Sequence, residues 1–149
     1  MTKLNPPRIT TEPNSFQYPS NTILYKALTG IGATYSEIKT KRHSIVIESN
    51  VPVITGKCNS AKHKDDNLSG VYEGVTTDRI IKYLRASRGK YYKIPTTPES
   101  FPKVKNAFLT FSGKIYNTCF LLIDEAKQRR DWYSTTKDLL PNIILSFNK

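Results

Sequence analysis

The stretch Ala27-Leu28-Thr29-Gly30-Ile31-Gly32-Ala33-Thr34 decides the fold that the sequence predicts. It follows a short apolar run, Thr22 to Ala27, and precedes a segment of helical character that begins near Thr34. In α/β proteins, a glycine turn between a buried strand and a helix directs backbone N–H groups at bound phosphates. The sequence therefore predicts a phosphate-binding turn at residues 29–34.

One position of this turn departs from the phosphate-loop pattern. The pattern has a small residue, four spacers, Gly, Lys and then Ser or Thr, and Ala27, Gly32 and Thr34 occupy the matching positions. Ala33 stands where the lysine belongs. We therefore expect a backbone cradle that lacks the cation normally placed at the β- and γ-phosphates. Three lysines elsewhere in the chain are candidates for that role, namely Lys26, Lys39 and Lys57.

The composition favours a globular domain that binds a polyanion. The 149 residues are enough for one continuous core, and 38% of them are hydrophobic. Lysine and arginine outnumber aspartate and glutamate by 23 to 12, which gives a formal net charge of +11. Because the positive residues are spread along the chain, nucleic acid or a nucleotide is the expected partner. The alternative is a basic surface that only confers solubility.

No targeting or membrane signal is evident in the sequence. No apolar run approaches the roughly 20 residues of a membrane-spanning helix. The polar start, residues 1–7, lacks the apolar centre of a secretory signal. We therefore expect no membrane association and a cytoplasmic location.

The two cysteines predict reduced thiols. Cys58 and Cys119 are far apart, and neither belongs to a C-x-x-C pair. A zinc site formed by these cysteines with His43 and His63 would contain suitable ligand types but has no ligand spacing. The charged neighbours of His63 predict a solvated loop.

The order of apolar runs predicts an α/β fold with a mostly parallel sheet and helices on both faces. Residues 1–21 hold four of the nine prolines and are interpreted as an irregular lead-in, so the domain would span residues 22–149. The strands are predicted at 22–27, 44–48, 71–75, 91–94, 119–123 and 139–147, with 119–123 central. The helices are predicted at 34–39, at 76–85 and in a segment whose first turn contains Pro98 and Glu99.

The predicted chemistry lies where parallel strands end, because ligands of such sheets bind at their carboxyl edge. The glycine turn, the loop after Ile47 and the pair Asp124-Glu125 would meet there. Asp124 would hold Mg²⁺ and Glu125 would polarise an attacking water. The simpler interpretation of the glycine segment is a tight turn, and the simpler interpretation of Asp124-Glu125 is a helix cap. The pairs Gly56-Lys57 and Gly113-Lys114 lack a following Ser or Thr and are interpreted as turns.

Four segments resemble motifs of the superfamily 2 helicases, the DEAD/DEAH-like group. Thr29-Gly30-Ile31-Gly32-Ala33-Thr34 resembles motif I, T-G-x-G-K-T, and Leu122-Ile123-Asp124-Glu125-Ala126-Lys127 resembles motif II, I-D-E-A-H. Ser49-Asn50-Val51-Pro52-Val53 falls where motif Ia follows the second strand. Thr96-Thr97-Pro98-Glu99-Ser100 is similar to motif Ib. Their order matches across Ile23 to Lys127.

The resemblance implies the first RecA-like lobe of such a helicase, a P-loop domain that binds ATP and Mg²⁺. Residues 29–34 would form the nucleotide turn, with Thr34 also on the metal. Asp124 would position Mg²⁺ and Glu125 the water. The implied partner is nucleic acid, with DNA favoured over RNA. The residues implied to face its phosphates are Asn50, Pro52, Thr97, Pro98 and Glu99.

Three departures from the family pattern limit the implied activity. Ala33 replaces the motif I lysine, Lys127 replaces the usual histidine of motif II, and neither motif III nor a second RecA-like lobe follows Phe147. The missing arginine finger of a second lobe is alone worth roughly 10³ to 10⁵ in turnover. We therefore expect a truncated helicase-like lobe without unwinding activity of its own. A lysine from elsewhere, a second lobe or a partner chain would be needed for ATP hydrolysis. The alternative is a basic interaction module without nucleotide chemistry.

Overall fold

The computed structural model describes residues 2–4, 24–26, 32–48, 50–112 and 115–124. The chain divides into two compact units, Met1–Lys41 and Arg42–Lys149.

The first unit contains two short strands and one helix. Strand β1, Thr2–Leu4, pairs in parallel with β2, Leu24–Lys26, although the sequence predicts residues 1–21 to be irregular. Helix α1 spans Ala33–Lys39, which confirms the helix predicted at 34–39. Gly32 precedes it with φ of 76°, a left-handed conformation that glycine adopts without a steric penalty. Gly32 therefore leads directly into α1.

The second unit is built on a three-stranded parallel sheet. Its strands are β3, His43–Ile47, β4, Lys93–Thr96, and β5, Cys119–Ile123, in the order β4-β3-β5. The strands predicted at 44–48, 91–94 and 119–123 are thus confirmed within one or two residues at each end. The prediction that 119–123 is central was wrong for the described sheet, because β3 lies between the other two strands.

The helices of this unit are α2, Val51–Cys58, α3, Thr77–Ala86, α4, Phe101–Phe111, and α5, Ile115–Thr118. Helix α3 confirms the prediction at 76–85, and the Thr76 side chain caps it by accepting a hydrogen bond from the Arg79 N–H at 3.3 Å. Residues 98–100 form a 3-10 turn, so α4 begins three residues later than Pro98.

Helix α2 was missed from the sequence. The structure places Gly56 and Lys57 inside it, so their interpretation as a turn was wrong. The signals that mark its start are Asn50 as the capping residue and Pro52 in the first turn. A glycine in the helix and a weak amphipathic pattern obscured these signals.

The predicted strand at 71–75 does not form. Instead, Leu68 and Val71 make isolated parallel bridges with Lys93 and Thr96, along the outer side of β4. The Val71 N–H donates to the Pro95 carbonyl oxygen at 2.9 Å. The predicted strand at 139–147 and the pair Gly113-Lys114 lie outside the described residues.

Helices α3 and α4 cover one face of the sheet. Because strand side chains alternate between faces, Ile45 and Ile47 share this face with Ile94. They pack against the buried side chains of α3 and α4, which are Ile80, Leu84, Phe101, Val104, Ala107 and Phe108. The same alternation places Ser44, Val46 and Glu48 on the opposite face, where Glu48 contacts Lys57 of α2. Helices therefore contact the sheet from both sides.

Two titratable groups lie in or against the core: Cys119 is buried within it, and Tyr83 of α3 is partly buried against it. Burial raises the pKa of the Cys119 thiol from 9.0 to about 12, although the charge of Lys93 opposes this shift. Burial likewise raises the pKa of the Tyr83 hydroxyl from 10.0 to about 12. Both groups are therefore neutral in the folded protein over a pH range in which they ionise in the unfolded chain.

We predict that the protein loses stability as the pH rises above 9. The folded state keeps the Cys119 proton that the unfolded state releases, so the free energy of unfolding falls by up to about 1.4 kcal/mol per pH unit between pH 9 and 12. Tyr83 adds to this loss above pH 10. Urea unfolding at pH 8.5 and pH 10 measures the effect. The Cys119→Ala variant is the control and should lose clearly less stability over the same interval; an equal loss in both proteins would contradict the prediction.

Candidate functional site at the carboxyl edge of the sheet

The three strands of this sheet end side by side at its carboxyl edge. Ile47 is the register partner of both Thr96 and Ile123. The Glu48 N–H donates to the Thr96 carbonyl oxygen at 2.9 Å, and the Asp124 N–H donates to the Ile47 carbonyl oxygen at 3.1 Å. The hydrogen-bond ladder of the sheet therefore extends one residue beyond the paired strands. Glu48, Thr97 and Asp124 therefore follow the last paired row together. Segments predicted as motifs Ia, Ib and II thus begin at a single edge.

The amino end of α2 lies at this edge, after β3. The Asn50 side-chain oxygen accepts a hydrogen bond from the Val53 N–H at 3.1 Å and so caps the helix. Pro52 is exposed in the first turn. The positive end of the α2 dipole therefore lies where the chain leaves β3, a position that favours an anion. Asn50 holds this helix end in place through its cap.

The turn after β4 also lies at this edge, and hydrogen bonds to the Thr97 carbonyl oxygen fix its conformation. The Thr97 carbonyl oxygen accepts from the N–H groups of Ser100 and Phe101, each at 3.1 Å, and from the Thr96 hydroxyl at 3.2 Å. Thr97 and Pro98 are buried, whereas Glu99 is exposed. A phosphate approaching this turn would meet the Glu99 carboxylate before either of the other two side chains. Glu99 is therefore the least suited of the predicted contacts to face a phosphate.

A buried ion pair between Glu48 and Lys57 lies behind this edge. The Lys57 Nζ donates to the Glu48 Oε1, and the two side chains retain 23% and 3% of their exposure. Glu48 stands in the same register row as Asp124, so two carboxylates of neighbouring strands belong to this edge. Sequence reasoning missed Glu48 because its partner lies nine residues away on a helix that was not predicted. The apolar strand before it, ending in an acid, was the available signal.

The nucleotide turn is described only in part. Gly32 and Thr34 belong to the first unit, where Thr34 is buried in the first turn of α1 and Ala33 begins that helix. Asp124, half-buried, belongs to the second unit. Thr29, Gly30, Ile31 and Glu125 lie outside the described residues. Among the lysines considered for the missing cation, Lys57 is paired with Glu48, and the Lys39 Nζ lies 5.6 Å from the centroid of the Tyr35 ring.

The segment around His63 is solvated, as predicted, because Lys62, Lys64 and Asp65 are exposed, but the His63 side chain is not. His63 is buried in a 3-10 turn, Ala61–His63, and its Nδ1 lies 2.8 Å from the Asp66 Oδ2. Within residues 32–48, 50–112 and 115–124, no group of three or more His, Cys, Asp or Glu side chains could hold a metal ion. Burial raises the pKa of the Cys58 thiol. The donors considered for a zinc site are thus engaged in separate local structures.

A cavity of about 470 Å³ lies away from the carboxyl edge. It is bounded by the end of α2, the 3-10 turn and Leu68, which bridges to Lys93 at the first residue of β4. The cavity therefore belongs to the amino end of the sheet and does not add to the candidate site.

No protein-family model, curated protein or solved structure matches this chain. Among the residues that the structure describes, no helix is long and apolar enough to span a membrane.

We predict that Lys57→Met destabilises the protein by about 1 to 3 kcal/mol. This range is the typical penalty for removing one partner of a buried polar group. Urea unfolding at pH 7 measures the loss. The double variant Glu48→Gln/Lys57→Met removes the carboxylate charge as well and should regain part of the lost stability. A single variant as stable as the wild type would contradict a structural role for the pair.

Proposed function

We propose that this chain is a helicase-like lobe that binds nucleic acid at the carboxyl edge of its sheet and binds ATP with Mg²⁺, without unwinding activity of its own. The observation that carries the proposal is the common edge at which β3, β4 and β5 end. The segments that resemble motifs Ia, Ib and II lie at the carboxyl ends of these three strands. A resemblance scattered over unrelated surfaces would offer no shared binding site.

The residues at this edge fit the proposed ligands in chemical type. Mg²⁺ prefers oxygen ligands, and Asp124 presents a carboxylate directly after β5, beside the row that contains Glu48. In the proposal, Asp124 holds the metal and Glu125 orients a water molecule. The metal would offset the charge of the phosphates. The capped start of α2 places the partial positive charge of a helix end next to a nucleic-acid phosphate.

Because position 33 is an alanine and not a lysine, we do not expect the proposed lobe to act as an ATP-driven motor. A backbone turn binds phosphates in the ground state, whereas the lysine and an arginine finger stabilise the charge of the transition state. Loss of the lysine lowers turnover more than binding. The proposed lobe therefore binds nucleotide but hydrolyses it at a negligible rate unless another chain completes the site.

The second candidate function is a basic interaction module without a nucleotide site. The specific observation in its favour is the ion pair between Glu48 and Lys57, which engages one of the lysines considered for the phosphates. Such a module would bind nucleic acid through charge alone. Nucleotide titration separates the two proposals.

We predict that a fluorescent ATP analogue binds in the presence of Mg²⁺ and that Asp124→Asn weakens this binding at least about tenfold. The factor is the lower end of the loss seen when a group that orients a metal ligand is removed. In EDTA the two proteins should bind the analogue equally weakly. Asp78→Asn is the matched control, because Asp78 is exposed on α3. Absent binding, or binding indifferent to Asp124→Asn, would favour the interaction module.

We further predict that Asn50→Asp weakens the binding of a labelled single-stranded oligonucleotide, whereas Asn50→Ser does not. Asparagine, aspartate and serine cap helices about equally well, so both variants should unfold at nearly the same urea concentration as the wild type. They differ by one negative charge at the helix start. The expected loss for Asn50→Asp is about threefold to tenfold at low salt, and it should shrink as salt rises. Equal binding by both variants would place the nucleic acid elsewhere on the molecule.

A further inference from the structure

A basic surface extends along α3 to the amino end of the sheet. Five exposed cations lie within residues 77–92, a segment with a single acid, Asp78. None of the five forms an ion pair with any residue that the structure describes. They are Arg79, Lys82, Arg85, Arg88 and Lys90. We call these five residues, together with Tyr91, the α3–β4 surface.

Helix α3 presents three of these cations on one side. Ile80 and Leu84 are buried beneath the helix, and the spacing of three residues keeps Arg79, Lys82 and Arg85 on its exposed side. The helix ends at the amino edge of the sheet, where the Tyr83 hydroxyl accepts from the Lys93 N–H at 3.0 Å and donates to the Asn67 carbonyl oxygen at 2.6 Å. The row of cations therefore leads toward the start of β4.

The turn between α3 and β4 holds the remaining two cations in a fixed backbone. The Lys90 N–H donates to the Ser87 carbonyl oxygen at 3.0 Å, and Gly89 has φ of 80°. Only glycine adopts that conformation without strain, so the turn has one defined shape. Arg88 and Lys90 are exposed on either side of Gly89. The Asn67 side chain supports the turn, since its Nδ2 donates to the Tyr91 carbonyl oxygen at 3.2 Å.

An exposed aromatic ring lies directly beside this turn. Tyr91 keeps 46% of its surface exposed, and its ring packs edge-on against His43 at 5.6 Å between centroids. His43 in turn stacks on Tyr92 at 4.3 Å, and Tyr92 meets the core residue Phe108 at 6.0 Å. The Tyr92 N–H donates to the His43 Nδ1 at 2.9 Å, which leaves that nitrogen without a proton. Tyr91 is therefore an exposed ring supported from behind by a packed series of rings.

We propose that the α3–β4 surface binds single-stranded nucleic acid, with a base stacked on Tyr91 and the flanking phosphates held by Arg88, Lys90 and the cations of α3. Sites for unpaired strands combine a positive track for the backbone with aromatic rings for the bases. A duplex keeps its bases stacked inside and so has no base to offer to Tyr91. Anion binding by charge alone does not require an exposed aromatic ring, whereas base stacking does.

This surface is independent of the nucleotide site and of the carboxyl edge. Its residues belong to α3 and the following turn, whereas the proposed function rests on the loops after β3, β4 and β5. Loss of nucleotide binding through Asp124→Asn would leave it unaffected. The Asn50→Asp variant would report on the carboxyl edge only. The two proposals can therefore fail separately.

The test is fluorescence anisotropy with a labelled oligothymidine of about 16 nucleotides, the upper end of known single-strand site sizes. Tyr91→Ala should weaken binding by at least about fivefold, which is the lower end of the loss measured for a stacking residue. Tyr91→Phe keeps the ring and should bind within about twofold of the wild type. Because Tyr91 is exposed, both variants should keep the wild-type thermal midpoint. A loss equal for Tyr91→Ala and Tyr91→Phe, or no loss for either, would overturn the stacking contact.

The charge contribution is tested with Arg88→Gln/Lys90→Gln. Removing two phosphate contacts should lower the slope of log affinity against log salt by about 1.4. Lys64→Gln/Lys103→Gln removes the same charge from other segments and should change the slope by less than half as much. Equal slopes for the two double variants would overturn the proposed surface. So would an equal effect of Tyr91→Ala on a duplex of the same length, or on vesicles with anionic lipid, because neither partner offers an unpaired base.

Discussion

The in-register pairing of β3 with both of its neighbours is the constraint on which the rest of this structure depends. Three parallel strands that end in the same row deliver three loops to one edge, whatever the loops themselves contain. The pairing also fixes which side chains face α3 and α4, because a shift of one residue would turn Ile45 and Ile47 to the opposite face and bring Ser44, Val46 and Glu48 toward these helices. The apolar face of the sheet therefore selects the register. That register in turn brings Glu48, Thr97 and Asp124 to the same row.

The helices and strands that were predictable from the sequence are those whose own residues carry a clear pattern, such as an apolar run or a helix cap. Strand β5 is an uninterrupted apolar run, and α3 combines a Thr76 cap with apolar residues on one side, so both were predicted nearly to the residue. Helix α2 was missed because its signals conflict: a good cap and a proline in the first turn precede a glycine in the interior. The order of the strands has no local signal, because it depends on which connections cross over β3.

The candidate site was predictable in position but not in detail. Parallel strands separated by helices imply a functional edge at their carboxyl ends, and the structure ends β3, β4 and β5 in one row there, whereas the described part of the glycine turn belongs to the other compact unit. The sequence cannot show that Thr97 and Pro98 are buried while Glu99 is exposed, because burial depends on α4 and on the segment beside β4. Nor does it reveal the partner of Glu48, since a contact across nine residues depends on α2 being present. Both facts change which residues are suited to face a phosphate.

The ion pair of Lys57 bears directly on the proposed nucleotide turn, in which Ala33 stands where the phosphate-loop pattern has a lysine. A lysine can serve bound phosphates only if its ammonium group leaves its present partner, and Glu48 is almost completely buried beside it. Withdrawal of that ammonium would leave a carboxylate in a poorly solvated position, and such a charge is strongly destabilising. The phosphates would have to offset this penalty before any net gain in affinity appeared. Lys57 is therefore better described as the group that neutralises Glu48 within the fold, and a cation for the phosphates of this lobe would have to come from another part of the chain or from a partner.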